Sequence, residues 1–148
     1  MFKERQVTWM KKSGWLEPLA IALVAGMALL QLYFALGAYL DPFAFSVSRG
    51  TPLLDGGDSD WVRIYASRTL FIVLMLGVLL HRREYSLLAL AALFGAVMPL
   101  TDAVLAILDQ APFTYLLRHL ATLAYLFGAF FVLRQSAKVS TRANTAAG

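Results

Sequence analysis

The sequence predicts an all-α integral membrane protein, a four-helix bundle with antiparallel up-down topology. Three observations carry that prediction. Apolar residues make up 59% of the 148 residues and charged ones 15%, against roughly 45–50% and about 25% in soluble domains. A soluble core of this size cannot hide so much apolar surface, so a bilayer must cover part of it. The apolar residues also fall into four runs of about 20–26 residues, and roughly 20 helical residues cross a hydrocarbon core of about 30 Å. Finally, the runs are rich in Leu and Ala and lack the period-2 alternation that a membrane β-barrel requires.

The first 14 residues are polar and basic, with Lys3, Arg5, Lys11 and Lys12. The first run is Trp15–Leu40, with Pro18 in its first turn, where a missing N–H costs nothing. Its length exceeds the roughly 7–15-residue apolar region of a signal peptide, so it is expected to span rather than be cleaved at Ala35-Leu36-Gly37. Residues Asp41–Asp60 read as a loop holding Pro42, Pro52, Gly50, Gly56 and Gly57. The second run is Trp61–Leu80, and a charged turn, His81-Arg82-Arg83-Glu84, joins it to the third, Tyr85–Leu108. The turn Asp109-Gln110-Ala111-Pro112 leads to the fourth run, Phe113–Leu133. The two short connections require antiparallel neighbours. Residues 134–148 are polar and rich in Ala, Thr and Ser, and are expected to be a disordered tail.

Charge sets the orientation. One side of the membrane would carry Lys3, Arg5, Lys11, Lys12, Arg82, Arg83, Arg134, Lys138 and Arg142, and the other only Arg49 and Arg63. By the positive-inside rule both termini are cytoplasmic, and in a bacterium the address is the inner membrane. Trp15, Tyr39 and Trp61 sit at run ends, where an aromatic belt belongs.

Four residues that lipid disfavours lie inside the runs: Arg68, Asp102, Arg118 and His119. A charge at mid-helix costs about 2.5–3.5 kcal/mol on insertion scales, so such groups turn inward and pair. Counted from Trp61, Asp109 and Pro112, the residues Arg68, Asp102 and His119 each lie seven residues in, roughly 10 Å deep. One layer therefore receives Arg, Asp and His from three helices. Arg68 and Asp102 are expected to form a bidentate ion pair, with His119 bonding to the same carboxylate. Gln31 lies somewhat deeper, and Ser67, Thr101 and Thr122 can line the same zone. Arg118 is about 100° around the helix from His119 and is expected to snorkel outward. Pro99, three residues before Asp102, should free a carbonyl near Gly95, bend the third helix and open a pocket. Gly26, with Ala20, Ala22 and Ala25, marks a packing face of the first helix, and Gly95 and Gly128 should allow close helix approach.

The remaining motifs exclude more than they suggest. The absence of Cys rules out thiol and disulfide chemistry and Cys-ligated metals. There is no phosphate-cradling glycine loop, dinucleotide fingerprint or zinc-protease motif. Asp55, Asp58 and Asp60 lack EF-hand spacing and read as an acidic solvated turn, so no metal site is expected. The basic residues flank apolar runs, a pattern of topology and not of nucleic-acid recognition.

An Arg in Ala-Ser-Arg-Thr-Leu (Arg68), an Asp after a proline in Met-Pro-Leu-Thr-Asp (Asp102) and a His in Leu-Arg-His-Leu (His119), each in its own helix, resemble small DoxX-like membrane proteins and their uncharacterised relatives. The likeness spans about residues 15–133. Thr69 stands where those proteins often carry an acid after the Arg. The resemblance implies a four-helix fold and a possible place as the membrane subunit of a quinone-linked oxidoreductase.

Three functions remain open on this evidence. The chain could bind a hydrophobic small molecule, a lipid or quinone, through Arg68, Asp102, His119, Gln31 and Thr122. It could be a partner subunit or homo-oligomer in which the cluster only fixes helix register. Or it could be an enzyme with His119 as acid–base and Asp102 orienting it. No cofactor can be named from the residues.

Overall fold

The computed structural model describes residues 14–147, and side chains as far as residue 141. The basic residues Lys3, Arg5, Lys11 and Lys12, and the side chain of Arg142, lie outside the described residues. Six helices make up the fold: α1 (Leu16–Leu40), α2 (Pro42–Arg49), α3 (Asp58–His81), α4 (Tyr85–Gly95), α5 (Val97–Leu108) and α6 (Phe113–Ala147). No strand occurs among the described residues. Four helical stretches are long and apolar enough to cross a membrane: Leu16–Leu40, Asp58–His81, Tyr85–Leu108 and Phe113–Thr141.

The side chains are distributed as a lipid solvent demands. The buried positions are largely small: Ala20, Ala38, Ala66, Ala89, Ala103 and Ala129 are nearly covered. Large residues such as Leu29, Phe71, Leu74, Phe94 and Phe131 face outward. With lipid outside, large apolar groups lose nothing there, and small ones let helix backbones approach. A tight approach between helices is at Gly26. A Cβ there would lie 3.1 Å from the Tyr125 hydroxyl, which itself donates to the Leu23 carbonyl and joins α6 to α1. Gly95 and Gly128 do not play the close-packing part expected of them. A Cβ at Gly128 would meet nothing within 4 Å, and one at Gly95 only the Met98 tip at 3.9 Å.

The third span breaks at Ala96, between α4 and α5. Pro99 has no N–H to offer the Gly95 carbonyl, so the ladder is interrupted one turn before the proline. The opposite end of the fold is tied by Arg83 to Glu17 at 2.6 Å, with the Tyr85 hydroxyl donating to the same carboxylate at 3.4 Å.

Two stretches differ from the sequence expectation. The fourth helix does not stop at Leu133 but continues to Ala147. Its polar end contains Ala, Arg, Lys and Gln, which favour helix, and no Gly or Pro before Gly148. Leu133 and Ser136 are buried there, and Ser136 donates to the Val132 and Leu16 carbonyls at 3.1 and 3.4 Å.

The other is the segment read as a loop, Asp41–Asp60, which begins with α2. Asp41 caps it by accepting from the Ala44 N–H at 2.9 Å, and Pro42 occupies the first turn. Gly50 ends it in the left-handed conformation, φ 83°, its N–H donating to the Ser46 and Val47 carbonyls. A Cβ at Gly50 would also lie 3.2 Å from the Tyr115 ring. Gly50→Ala should therefore destabilise the fold by about 1–2 kcal/mol from backbone strain alone. Unfolding in mixed detergent micelles would measure it, and an unchanged midpoint would show that α2 is not anchored through this turn.

Helix packing positions the site. Helix α1 packs mainly on α3, α4 and α5 pack on α6, and α1 and α6 meet between these pairs. Helices α3 and α5 scarcely touch. The cavity described next lies among these four walls.

Candidate functional site

A cavity of about 690 Å³ runs inside the helices. Its wall on α6 extends from His119 to Leu133, roughly 21 Å at 1.5 Å per residue. Leu23, Met27, Ile72, Met75, Leu88 and Leu126 line most of its length. The polar side chains gather toward the α2 end: Arg49, Tyr65, Arg68, Thr101, Asp102 and His119. The volume lies in the range of about 300–1,000 Å³ typical of sites for one small molecule. All five residues singled out from the sequence, Gln31, Arg68, Asp102, His119 and Thr122, line this one cavity.

Their pairing is not the one expected. Arg68 does not pair with Asp102; it makes no ion pair or hydrogen bond with any described residue. Arg49 takes its place, with Nη2 2.6 Å from Asp102 Oδ2. The reason is the course of the chain. Helices α3 and α5 make few contacts, and no Arg68 nitrogen comes within ion-pair distance of Asp102. Helix α2 instead packs against α1 and α3 and brings Arg49, its last residue, to Asp102. The Arg49 guanidinium also lies 4.9 Å from the centre of the Phe34 ring, a cation–π contact that holds it against α1.

His119 Nδ1 is 3.6 Å from the same oxygen, Asp102 Oδ2. That is too long for a strong hydrogen bond. The pair is single-pronged and not bidentate, and Oδ1 has no donor among the described residues. The His119 side chain is only 6% exposed, while those of Arg49 and Asp102 are 24% and 39% exposed. Gln31 makes one weak contact, Nε2 to the Met27 sulfur at 4.0 Å. The Thr122 hydroxyl donates to the Arg118 carbonyl at 2.9 Å. Arg118 turns away from Asp102, lies over the Tyr115 ring at 5.4 Å and donates to the Ser48 carbonyl in the last turn of α2 at 3.3 Å.

A second cavity, of about 440 Å³, lies beneath α2. Phe45, Thr51, Leu53, Trp61 and Leu105 are among its walls. Arg49, Tyr65, Asp102 and His119 line both cavities and so form the partition between them. Chemically, the partition offers a carboxylate oxygen with no donor and a guanidinium held by a single hydrogen bond. Away from it, Asp55 and Asp58 accept backbone N–H groups of their own turn, which fits an acidic turn at the start of α3. No group of three His, Asp or Glu capable of holding a metal occurs among the described residues.

Arg49 is the site residue that sequence reasoning missed. Its signal was present as helix punctuation, with Asp41 and Pro42 before the segment and Gly50 after it.

Four membrane-length apolar helices with an internal cavity among them define a multi-pass integral membrane protein. The chain belongs to the family described as Domain of unknown function (DUF4267), whose model matches residues 28–138. No curated protein and no solved structure matches it.

Proposed function

We propose that this protein is an intramembrane binding module for a hydrophobic small molecule, a lipid or a quinone-like compound. In this reading the spans run up and down in antiparallel order and both termini are cytoplasmic. Helix α2 then covers the outer end of the bundle. The observation that carries the proposal is the elongated cavity of about 690 Å³, apolar along its length and polar at one end. An apolar tail suits the first part and a polar head the second. A cluster serving only to fix helix register needs no void beside it, and here a large one adjoins it. The resemblance to DoxX-like proteins through Arg68, Asp102 and His119 adds quinones to the candidate ligands. It also keeps a role as a membrane subunit of a redox complex as the second reading. An acid–base enzyme is less well supported, because His119 Nδ1 lies 3.6 Å from Asp102 Oδ2, too far for that carboxylate to orient it through a strong hydrogen bond.

The test is native mass spectrometry of the full chain, carried from its own membrane in nanodiscs. Wild type is expected to retain a bound small molecule, and a folded Ala91→Trp variant, which fills part of the cavity that Ala91 lines, to retain less of it. Wild-type protein that holds no molecule beyond bulk lipid would count against a binding function.

A further inference from the structure

We infer that the ligand is a single-chain amphiphile with an anionic head, a carboxylate or a phosphate, received by Arg68. This rests on the reading of the cavity as a binding site and names the chemistry of what it takes. Arg68 is the eleventh residue of the 24-residue α3, about 15 Å along the helix from its start. Arg68 is exposed on the surface of the helices, and within a bilayer a guanidinium without a partner there would meet lipid instead of water; such groups mark ligand or ion sites. Arg68 lines the cavity, yet it has no ion pair and no hydrogen bond to any described residue.

Charge on the cavity wall points the same way. Two arginines, Arg49 and Arg68, face it against one carboxylate, Asp102. That carboxylate is already engaged by Arg49 at 2.6 Å. The surplus positive charge therefore resides on Arg68. The Gln31 amide, on the helix against which α3 packs most, adds N–H groups held only by a 4.0 Å contact to sulfur. A planar guanidinium with an amide on the wall of the same cavity is suited to receiving carboxylate or phosphate oxygens. The rest of the cavity is a long apolar channel with room for one chain. Helices α3 and α5 scarcely meet, so entry from the lipid would be through an opening between them. Exposed Phe94, Val97 and Met98 stand beside that opening and also line the cavity. An amphiphile can enter there tail and head together, without leaving the membrane.

The experiment compares probes of equal chain length on the purified full chain by native mass spectrometry: hexadecyl phosphate, palmitate and uncharged hexadecanol, with inorganic phosphate as the head alone. Both anionic amphiphiles are expected to bind about tenfold or more tighter than hexadecanol. Arg68→Gln should abolish that preference while hexadecanol still binds, and Arg68→Lys should keep part of it. Equal binding of hexadecanol and the anions by wild type overturns the inference and leaves the cavity reading intact. Inorganic phosphate competing as well as hexadecyl phosphate overturns it in favour of a free anion. If no amphiphile binds, hexadecanol included, the cavity reading itself fails. Should Arg68→Gln not fold, the wild-type series together with Arg68→Lys still decides.

Discussion

A double-mutant cycle between Arg49 and Asp102 is expected to give a coupling of about 1–3 kcal/mol. The range follows from where the pair sits. Fully exposed ion pairs are worth about 0–1 kcal/mol, and breaking a fully buried pair costs about 3–5 kcal/mol. Arg49 and Asp102, at 24% and 39% side-chain exposure, lie between those limits, and their 2.6 Å contact is close. The same cycle between Arg68 and Asp102 is expected to fall below about 0.5 kcal/mol, because the two groups do not touch. Unfolding of Arg49→Gln, Asp102→Asn and the double variant in mixed micelles supplies the numbers. A larger coupling for Arg68 than for Arg49 would restore the pairing expected from sequence and refute the placement of α2.

Filling the cavity should have the largest effect on binding. Ala91 on α4 is half-buried and lines the cavity, so Ala91→Trp places a large ring in the channel. Affinity for hexadecanol is expected to fall at least about tenfold, which is about 1.4 kcal/mol. Overpacking of a well-filled core costs about 1–3 kcal/mol; here the ring enters existing space, so the loss of stability should lie near the lower end. Leu90→Trp is the matched control, since Leu90 is on the same helix, faces outward and does not line the cavity. Equal binding by the Ala91→Trp protein would place the ligand elsewhere.

The two variants probe different parts of one arrangement. The Arg49–Asp102 cycle reads the partition between the two cavities, and the Ala91 series reads the apolar channel below it. A protein that loses stability in the first and only affinity in the second has a structural lock beside a separate binding space. A homo-oligomer or partner subunit built around a closed cluster would respond to the first alone.

Much of the fold was legible from composition and run length. Four apolar stretches of span length pointed to helices able to cross a membrane, because an apolar helix satisfies its own backbone groups. Pro99 announced the break at Ala96 for an equally local reason, the missing N–H. Depth counting placed Arg68, Asp102 and His119 in one layer, since 1.5 Å per residue is a property of any helix, and all three line one cavity.

Partnership was not legible, because it depends on which helices touch. Depth ranks Arg68, Asp102 and His119 together but says nothing of the angle between helices. The packing of α1 on α3 and of α4 and α5 on α6 leaves a gap between α3 and α5, and that gap separates Arg68 from Asp102. Glycine behaved similarly. Gly26 and Gly128 look alike in sequence, yet only Gly26 faces a close neighbour, Tyr125. The segment Asp41–Arg49 was the reverse case, since its Asp-Pro start and Gly50 stop encode a helix locally. That signal was obscured by reading a stretch rich in Pro and Gly as a loop. What the residues alone determined was therefore four membrane spans with a polar layer at one depth, because span length and helical rise are local quantities. What only the tertiary structure decided was that Arg49 neutralises Asp102 and leaves Arg68 uncommitted in the cavity wall, because ion pairing requires side chains from distant helices to meet within a few ångströms.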